Sequence, residues 1–123
     1  MKRDMELVRQ ILVQIEEHEH GMAPRSLTID GYTQEQIGYH VHLMGQAGLL
    51  KVADVSHFGS TSPEAIATRM TWAGHEFLDA ARSDTVWQRA KTQLGAQWAS
   101  VPFDILKAVL MKFVGQAVGM PEA

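Results

Sequence analysis

Two histidine pairs are the first residues whose types suggest chemistry, His18-Glu19-His20 and Tyr39-His40-Val41-His42. Imidazole is the commonest metal ligand and a frequent general base. On a helix, however, positions i and i+2 point about 200° apart, so neither pair chelates as it stands. His18 and His20 fall near a helix end, where the chain can leave helical geometry. Spacing places no third ligand, so no metal and no cofactor are expected. His40 lies beside apolar positions and reads as a hydrogen-bonded core histidine. His75-Glu76 opens like a zincin motif, but Asp79 stands where the second chelating histidine would be. The chain has no cysteine, and no serine has a base placed by a recognisable motif. The sequence therefore does not read as an enzyme.

The chemistry that remains is binding. Thr33 and Gln36 form a capping box that starts a helix running to about Ala47. Ile37, Val41 and Met44 share the face that should enter the core. Gln34, Glu35, Gly38, His42 and Gly45 occupy the face left over. In a major groove Gln34 could pair with adenine, and His42 could reach a guanine acceptor or a phosphate. With Lys51 and Arg69 on the following strands, the expected DNA-facing set is Gln34, Gly38, His42, Lys51 and Arg69. Charge argues the other way. From residue 26 to 70, Lys51 and Arg69 are the only cations, against Asp30, Glu35, Asp54 and Glu64. Phosphate neutralisation normally supplies most non-specific DNA affinity. The alternative is a structural helix whose two glycines admit a close neighbour.

The elements that must position these residues follow from periodicity. Residues 4 to 19 form a helix with Met5, Val8, Ile11, Leu12 and Ile15 on one stripe. Leu7 and Val13 are also apolar and widen it. Gly21 and Pro24 stop this helix. Leu27-Thr28-Ile29 alternates as a short strand before the Asp30-Gly31 turn. Leu49 to Val55 and Ala65 to Thr71 read as the strands of a hairpin with a long tip, Ser56 to Glu64. That tip carries His57 and Phe58 and no Lys or Arg, and reads as a mobile solvated loop. A third helix begins near Trp72, with Trp72, Phe77 and Leu78 expected in the core. Ser83 caps a continuation that Gly95 ends, and Ser100 caps a last helix running to Val118.

This order is that of a winged helix, with the second helix of the usual trio vestigial or absent. Met44-Gly45-Gln46-Ala47-Gly48-Leu49-Leu50 resembles the exit from the third helix of many winged-helix regulators. Met70-Thr71-Trp72-Ala73-Gly74-His75-Glu76-Phe77-Leu78-Asp79 is more specific. Taken with Met1-Lys2-Arg3-Asp4-Met5 and Gly31-Tyr32 … Tyr39-His40, it resembles an uncharacterised bacterial and phage family known only as a domain of unknown function. Thr85-Val86-Trp87 and Phe103-Asp104-Ile105-Leu106-Lys107 are similar to it too. The resemblance implies a winged-helix-like fold and a phage or prophage association. It implies no established activity and no catalytic residues.

The fold expected is α+β and mostly helical, a winged-helix-like domain over residues 1–95 with a C-terminal association helix over 96–123. Its 123 residues leave little room for more than one core. A net charge of −3 excludes a generally basic nucleic-acid coat. Basic residues at the start are followed by acids, which is not a signal peptide. The most apolar stretch, Ile105 to Val118, is shorter than the ~20 residues a spanning helix needs. A cytoplasmic protein with no membrane contact is expected. That last helix is apolar over more than half its circumference, so one side should pack on the domain and the other form a homodimer. Leu106, Val109, Leu110 and Phe113 are the expected interface. The leading function is a phage- or prophage-associated regulator that binds double-stranded DNA. The alternative is a protein-interaction module that has lost DNA binding.

Overall fold

A computed structural model gives the structure of the chain and describes residues 1–119. It is mixed α+β and mostly helical: α1 (Met5–Glu17), α2 (Gln34–Gln46), β1 (Leu50–Asp54), β2 (Ala65–Met70), α3 (Trp72–Ala81), α4 (Asp84–Leu94) and α5 (Phe103–Ala117). A 3-10 helix, Gly95–Ser100, joins α4 to α5. The chain divides into two compact units, Met1–Glu76 and the residues from Phe77 onward, so the boundary falls inside α3. It does not coincide with the expected division after residue 95, because α4 packs on α5 and groups with it. Residues 120–123 of the expected C-terminal extension lie outside the described residues.

In the first unit, α1 starts at Asp4, whose Oδ1 accepts the N–H groups of Glu6 at 2.9 Å and Leu7 at 3.3 Å. These are two of the donors a helix start leaves without partners. Met5, Leu7, Val8, Ile11, Leu12 and Ile15 are buried, so the apolar face is wider than one row. The capping box of α2 forms as the sequence predicts. Thr33 Oγ1 accepts from the Gln36 N–H at 3.1 Å, and Gln36 Oε1 accepts from the Thr33 N–H at 2.8 Å. Ile37, Val41 and Met44 enter the core. α2 packs against α1 on one side and against both strands on the other.

β1 and β2 form an antiparallel two-stranded sheet with Lys51 opposite Arg69 and Val52 opposite Ala67. Thr68 is therefore an extra residue, a bulge on β2. The predicted strand Leu27–Ile29 does not form. Its alternating apolar residues, Leu27 and Ile29, are both buried. Its partner is not a strand, however. The Gln14 side chain donates to the Thr28 carbonyl at 2.9 Å and accepts from the Thr28 N–H at 3.2 Å. A primary amide presents a donor and an acceptor side by side, as a neighbouring peptide would. It satisfies this stretch without a ladder.

Trp72 corrects a second expectation. It is 81% exposed. At 100° per residue it lies opposite the face of α3 that holds the buried Phe77, Leu78 and Ala81. Gly74 is on that inward face. A Cβ there would collide with the Leu49 carbonyl and the Met70 side chain.

In the second unit, Ser83 caps α4 by accepting from the Val86 N–H at 3.2 Å, and Gly95 ends it at φ 55°. Ser100 does not cap α5. It closes the 3-10 helix, and Pro102, extended at φ −62° and ψ 145°, stands at the α5 N-cap. Trp87 is fully buried and meets Trp98 edge to face with ring centroids 5.1 Å apart. Phe77 and Phe103 rings lie 4.9 Å apart.

The inner side of α5 overturns the expected dimer surface. Leu106 and Leu110 are 0% exposed and Phe113 is buried. These residues fill the single chain's own interior, and Val109 is half-buried beside them. The Arg89 guanidinium lies 4.4 Å from the Phe113 ring centroid and donates to Gln116 Oε1 at 3.2 Å, closing that side further. Among the described residues, no helix is long and apolar enough to cross a membrane.

Candidate interaction surface on the hairpin and second helix

The expected DNA-facing residues do not assemble into one surface. The glycine face of α2 is turned onto the hairpin. A Cβ on Gly45 would stand 2.6 Å from Val52 Cγ2, and one on Gly38 would touch Glu64 at 3.6 Å. Gly45 is thus a close-approach glycine, in agreement with the structural alternative. Gln34 donates its side-chain N–H to the Leu27 carbonyl at 3.0 Å. His42 is half-buried and stacks on Tyr39, with centroids 6.3 Å apart and planes 22° from parallel. Lys51 and Arg69 are exposed and directly opposed across the strands. They lie at the base of the hairpin, near the C-terminal end of α2. Gln34 and Gly38 lie at the other end, beside the tip. The outermost residues of α2 include Glu35 and Gln46, and neither neutralises a phosphate.

The histidines separate by role. His40 is 2% exposed and both ring nitrogens are used. Nε2 accepts the Asp4 backbone N–H at 2.9 Å, and Nδ1 donates to the Gln36 carbonyl at 2.8 Å. It is a neutral core histidine in the Nδ1–H tautomer, not a ligand. Asp4 Oδ2 accepts the Tyr32 hydroxyl at 2.8 Å. Burial and this carboxylate push the Tyr32 phenol up to about 12. Asp4, Tyr32 and His40 thus form one network that ties the start of α1 to α2. His18 and His20 meet edge to face at 5.7 Å, and His20 pairs with exposed Glu19. Among the described residues, no three His, Asp or Glu side chains converge to hold a metal.

The hairpin tip is not the loose loop its composition suggests. Val55 and Ser56 at its start are bonded to Glu64 at its end. The Glu64 carbonyl accepts the Val55 N–H at 3.0 Å, and the Ser56 hydroxyl accepts the Glu64 N–H at 2.8 Å. Asp54 Oδ1 accepts the Ser56 N–H at 2.9 Å, which holds its carboxyl below the usual range. At the apex the Ser60 N–H bonds to the His57 carbonyl, and the Ser60 hydroxyl accepts the His57 N–H, both at 2.9 Å. The loop is also anchored to α2. Thr61 and Ser62 donate their hydroxyls to Glu35 Oε1 and lower that carboxyl below its ordinary range. On this framework Phe58 projects fully into solvent, at 109% relative exposure. Composition concealed this. Hydroxyl-rich loops are usually mobile, and the one sequence signal was Phe58 itself, an aromatic among Ser, Thr and Gly.

Comparison with known proteins covers most of the chain. Residues 2–100 match the model of a family described as hypothetical protein (DUF2513). A protein of Haemophilus influenzae (strain ATCC 51907 / DSM 11121 / KW20 / Rd), described as uncharacterized, is 37% identical over 119 residues. That match covers 94% of this chain and 98% of the relative. No solved structure matches.

Proposed function

We propose a function for this chain, which belongs to the DUF2513 family of hypothetical proteins: it is a protein-interaction module of winged-helix-like arrangement, with the hairpin as its wing. The observation that carries this reading is Phe58, held wholly in solvent by a tip whose backbone is fixed by hydrogen bonds. A large ring on an ordered projection is a ready anchor for a pocket on another protein, because little order remains to be lost on binding. From residue 52 to 68 the hairpin has no Lys or Arg, whereas a wing that grips DNA offers cations to phosphates. α2 supports the same reading. Its glycine face is covered by the hairpin, and Gln34 and Glu35 are held within the chain. The competing role, a phage- or prophage-associated regulator reading DNA through α2, would leave Lys51 and Arg69 to carry the electrostatics. The homodimer loses Leu106, Leu110 and Phe113 as its surface and is not part of this proposal.

The test is site-specific photo-cross-linking in cells. A benzoylphenylalanine at position 58 should give a discrete protein adduct, and one at exposed Ile105 should not. Nucleic acid as the species cross-linked at 58 would overturn the reading. So would binding of the purified protein to mixed duplex DNA with a steep salt dependence.

A further inference from the structure

The expected strand Leu27–Ile29 does not form, and a cleft runs along β2. Pro24 to Leu27 forms one wall and Ala65 to Ala67 of β2 the other, with Ile37, Gly38 and Val41 of α2 along the floor. Its volume is about 460 Å³, within the range of ~300–1,000 Å³ typical of binding clefts. The Ala23 N–H bonds to the Thr68 carbonyl at 2.8 Å and closes one end. The other end opens beside Thr61 and Glu64 of the tip.

The sheet register decides which backbone groups face this cleft. The Val55 N–H bonds to the Glu64 carbonyl, one position beyond the Asp54–Ala65 pair, so the alternation along an antiparallel ladder makes Ala53 and Ile66 the hydrogen-bonded pair. The N–H and C=O groups of Ala65 and Ala67 then point away from β1. Among the described residues, no hydrogen bond outside the ladder reaches them. Edge groups of this kind are a template for pairing with another chain. Across the cleft, the Ser26 backbone likewise has no partner among the described residues.

We infer that this cleft takes up an extended basic segment of a partner protein as an added strand on the free edge of β2. The inference rests on the protein-interaction reading and names a second contact, independent of Phe58. Main-chain pairing would supply affinity, as in other strand-addition complexes. Alternate side chains would lie on the apolar floor, and exposed Val55 and Ile66 flank the mouth. Charge selects a basic partner. Glu35 and Glu64 line the cleft against the single cation Arg25, and hydrogen bonds from the tip keep Glu35 ionised.

The experiment uses the full chain and the peptide acetyl-Lys-Val-Lys-Val-Lys-Val-Lys-amide, read by amide hydrogen exchange. The peptide should slow exchange at Ala65 and Ala67 at least tenfold and leave Val52 and Asp54, on the opposite edge, unchanged. The same peptide N-methylated at alternate residues keeps its charge and side chains but cannot pair, and should give no protection. Replacing its lysines by glutamates should weaken binding about tenfold. Glu64→Lys should reverse that preference, since its carboxylate is not part of the hydrogen bonds that shape the tip. Equal binding of the N-methylated peptide, protection at Val52 and Asp54 instead, or no protection at millimolar peptide would each overturn the inference. A dimer by light scattering with Ala65 and Ala67 protected before any peptide is added would overturn it in favour of a second copy. A protein adduct at position 58 together with an unresponsive cleft would remove the cleft and leave the interaction module standing. A nucleic-acid adduct would remove both.

Discussion

The hairpin tip and the outer side of α5 both display apolar side chains, and they do so for different reasons. On α5 the exposed residues Ile105 and Met111 belong to a helix whose inner face, Leu106, Leu110 and Phe113, is fully used. Their exposure is what remains when a helix apolar over most of its circumference packs along one side. Lys107 and Lys112 stand among them and break the patch. The tip is anchored to α2 through Thr61, Ser62 and Glu35, not through an apolar face. Phe58 has no packing to leave over, and at least five hydrogen bonds shape the loop that holds it out. The lesson is that apolar exposure alone does not mark an interface. Exposure that the backbone is built to maintain is the stronger sign, and it moves the proposed contact from α5 to the hairpin.

Four measurements sharpen or break this contrast. Leu110→Ala should destabilise the protein by roughly 2–5 kcal/mol in urea unfolding, the usual cost of emptying a buried leucine site. A change too small to measure would show α5 packed less closely than its burial implies. Ser56→Ala removes the hydroxyl that accepts the Glu64 N–H and donates to the Glu64 carbonyl. It should cost about 0.5–1.5 kcal/mol and raise amide exchange across residues 56–64. Phe58→Ser and Met111→Ser should each lie within about 0.5 kcal/mol of the parent, as surface substitutions do. A loss on Phe58→Ser comparable with that of Leu110→Ala would mean the ring packs at home and the comparison fails. The fourth concerns pH. The Glu35 carboxyl is held below its ordinary range by the Thr61 and Ser62 hydroxyls. The anchor therefore favours the folded tip at neutral pH and is lost as pH falls through that lowered value. Carboxyl titration by NMR should show Glu35 protonating below the ordinary glutamate range, with exchange at Thr61 and Ser62 rising in the same interval. Glu35→Gln should remove that step.

Much of the fold was legible in the chain. The capping box at Thr33, the Ser83 cap and the hairpin strands are local signals, and each appears where the sequence places it. The exposure of Trp72 is legible too, since at 100° per residue it falls opposite the face shared by Phe77 and Leu78. The site was less so. Which face of α2 meets the hairpin, and whether Ser56, Ser60 and Thr61 hold a loop or merely solvate one, depend on partners distant in sequence. Gln14 completing Thr28 is the same case, since nothing in either segment names the other.

The sequence by itself determined where helices start, where strands alternate and which residues are apolar enough to be buried. Those are properties of neighbours a few positions apart. Only the tertiary structure decided that Gly38 and Gly45 are covered, that Leu106, Leu110 and Phe113 close one chain, and that Phe58 stands in solvent. It also decided that, among the described residues, no strand lies beside the edge of β2 at Ala65 and Ala67. Burial and hydrogen-bond satisfaction are shared between distant segments, so the composition of any one segment does not contain them.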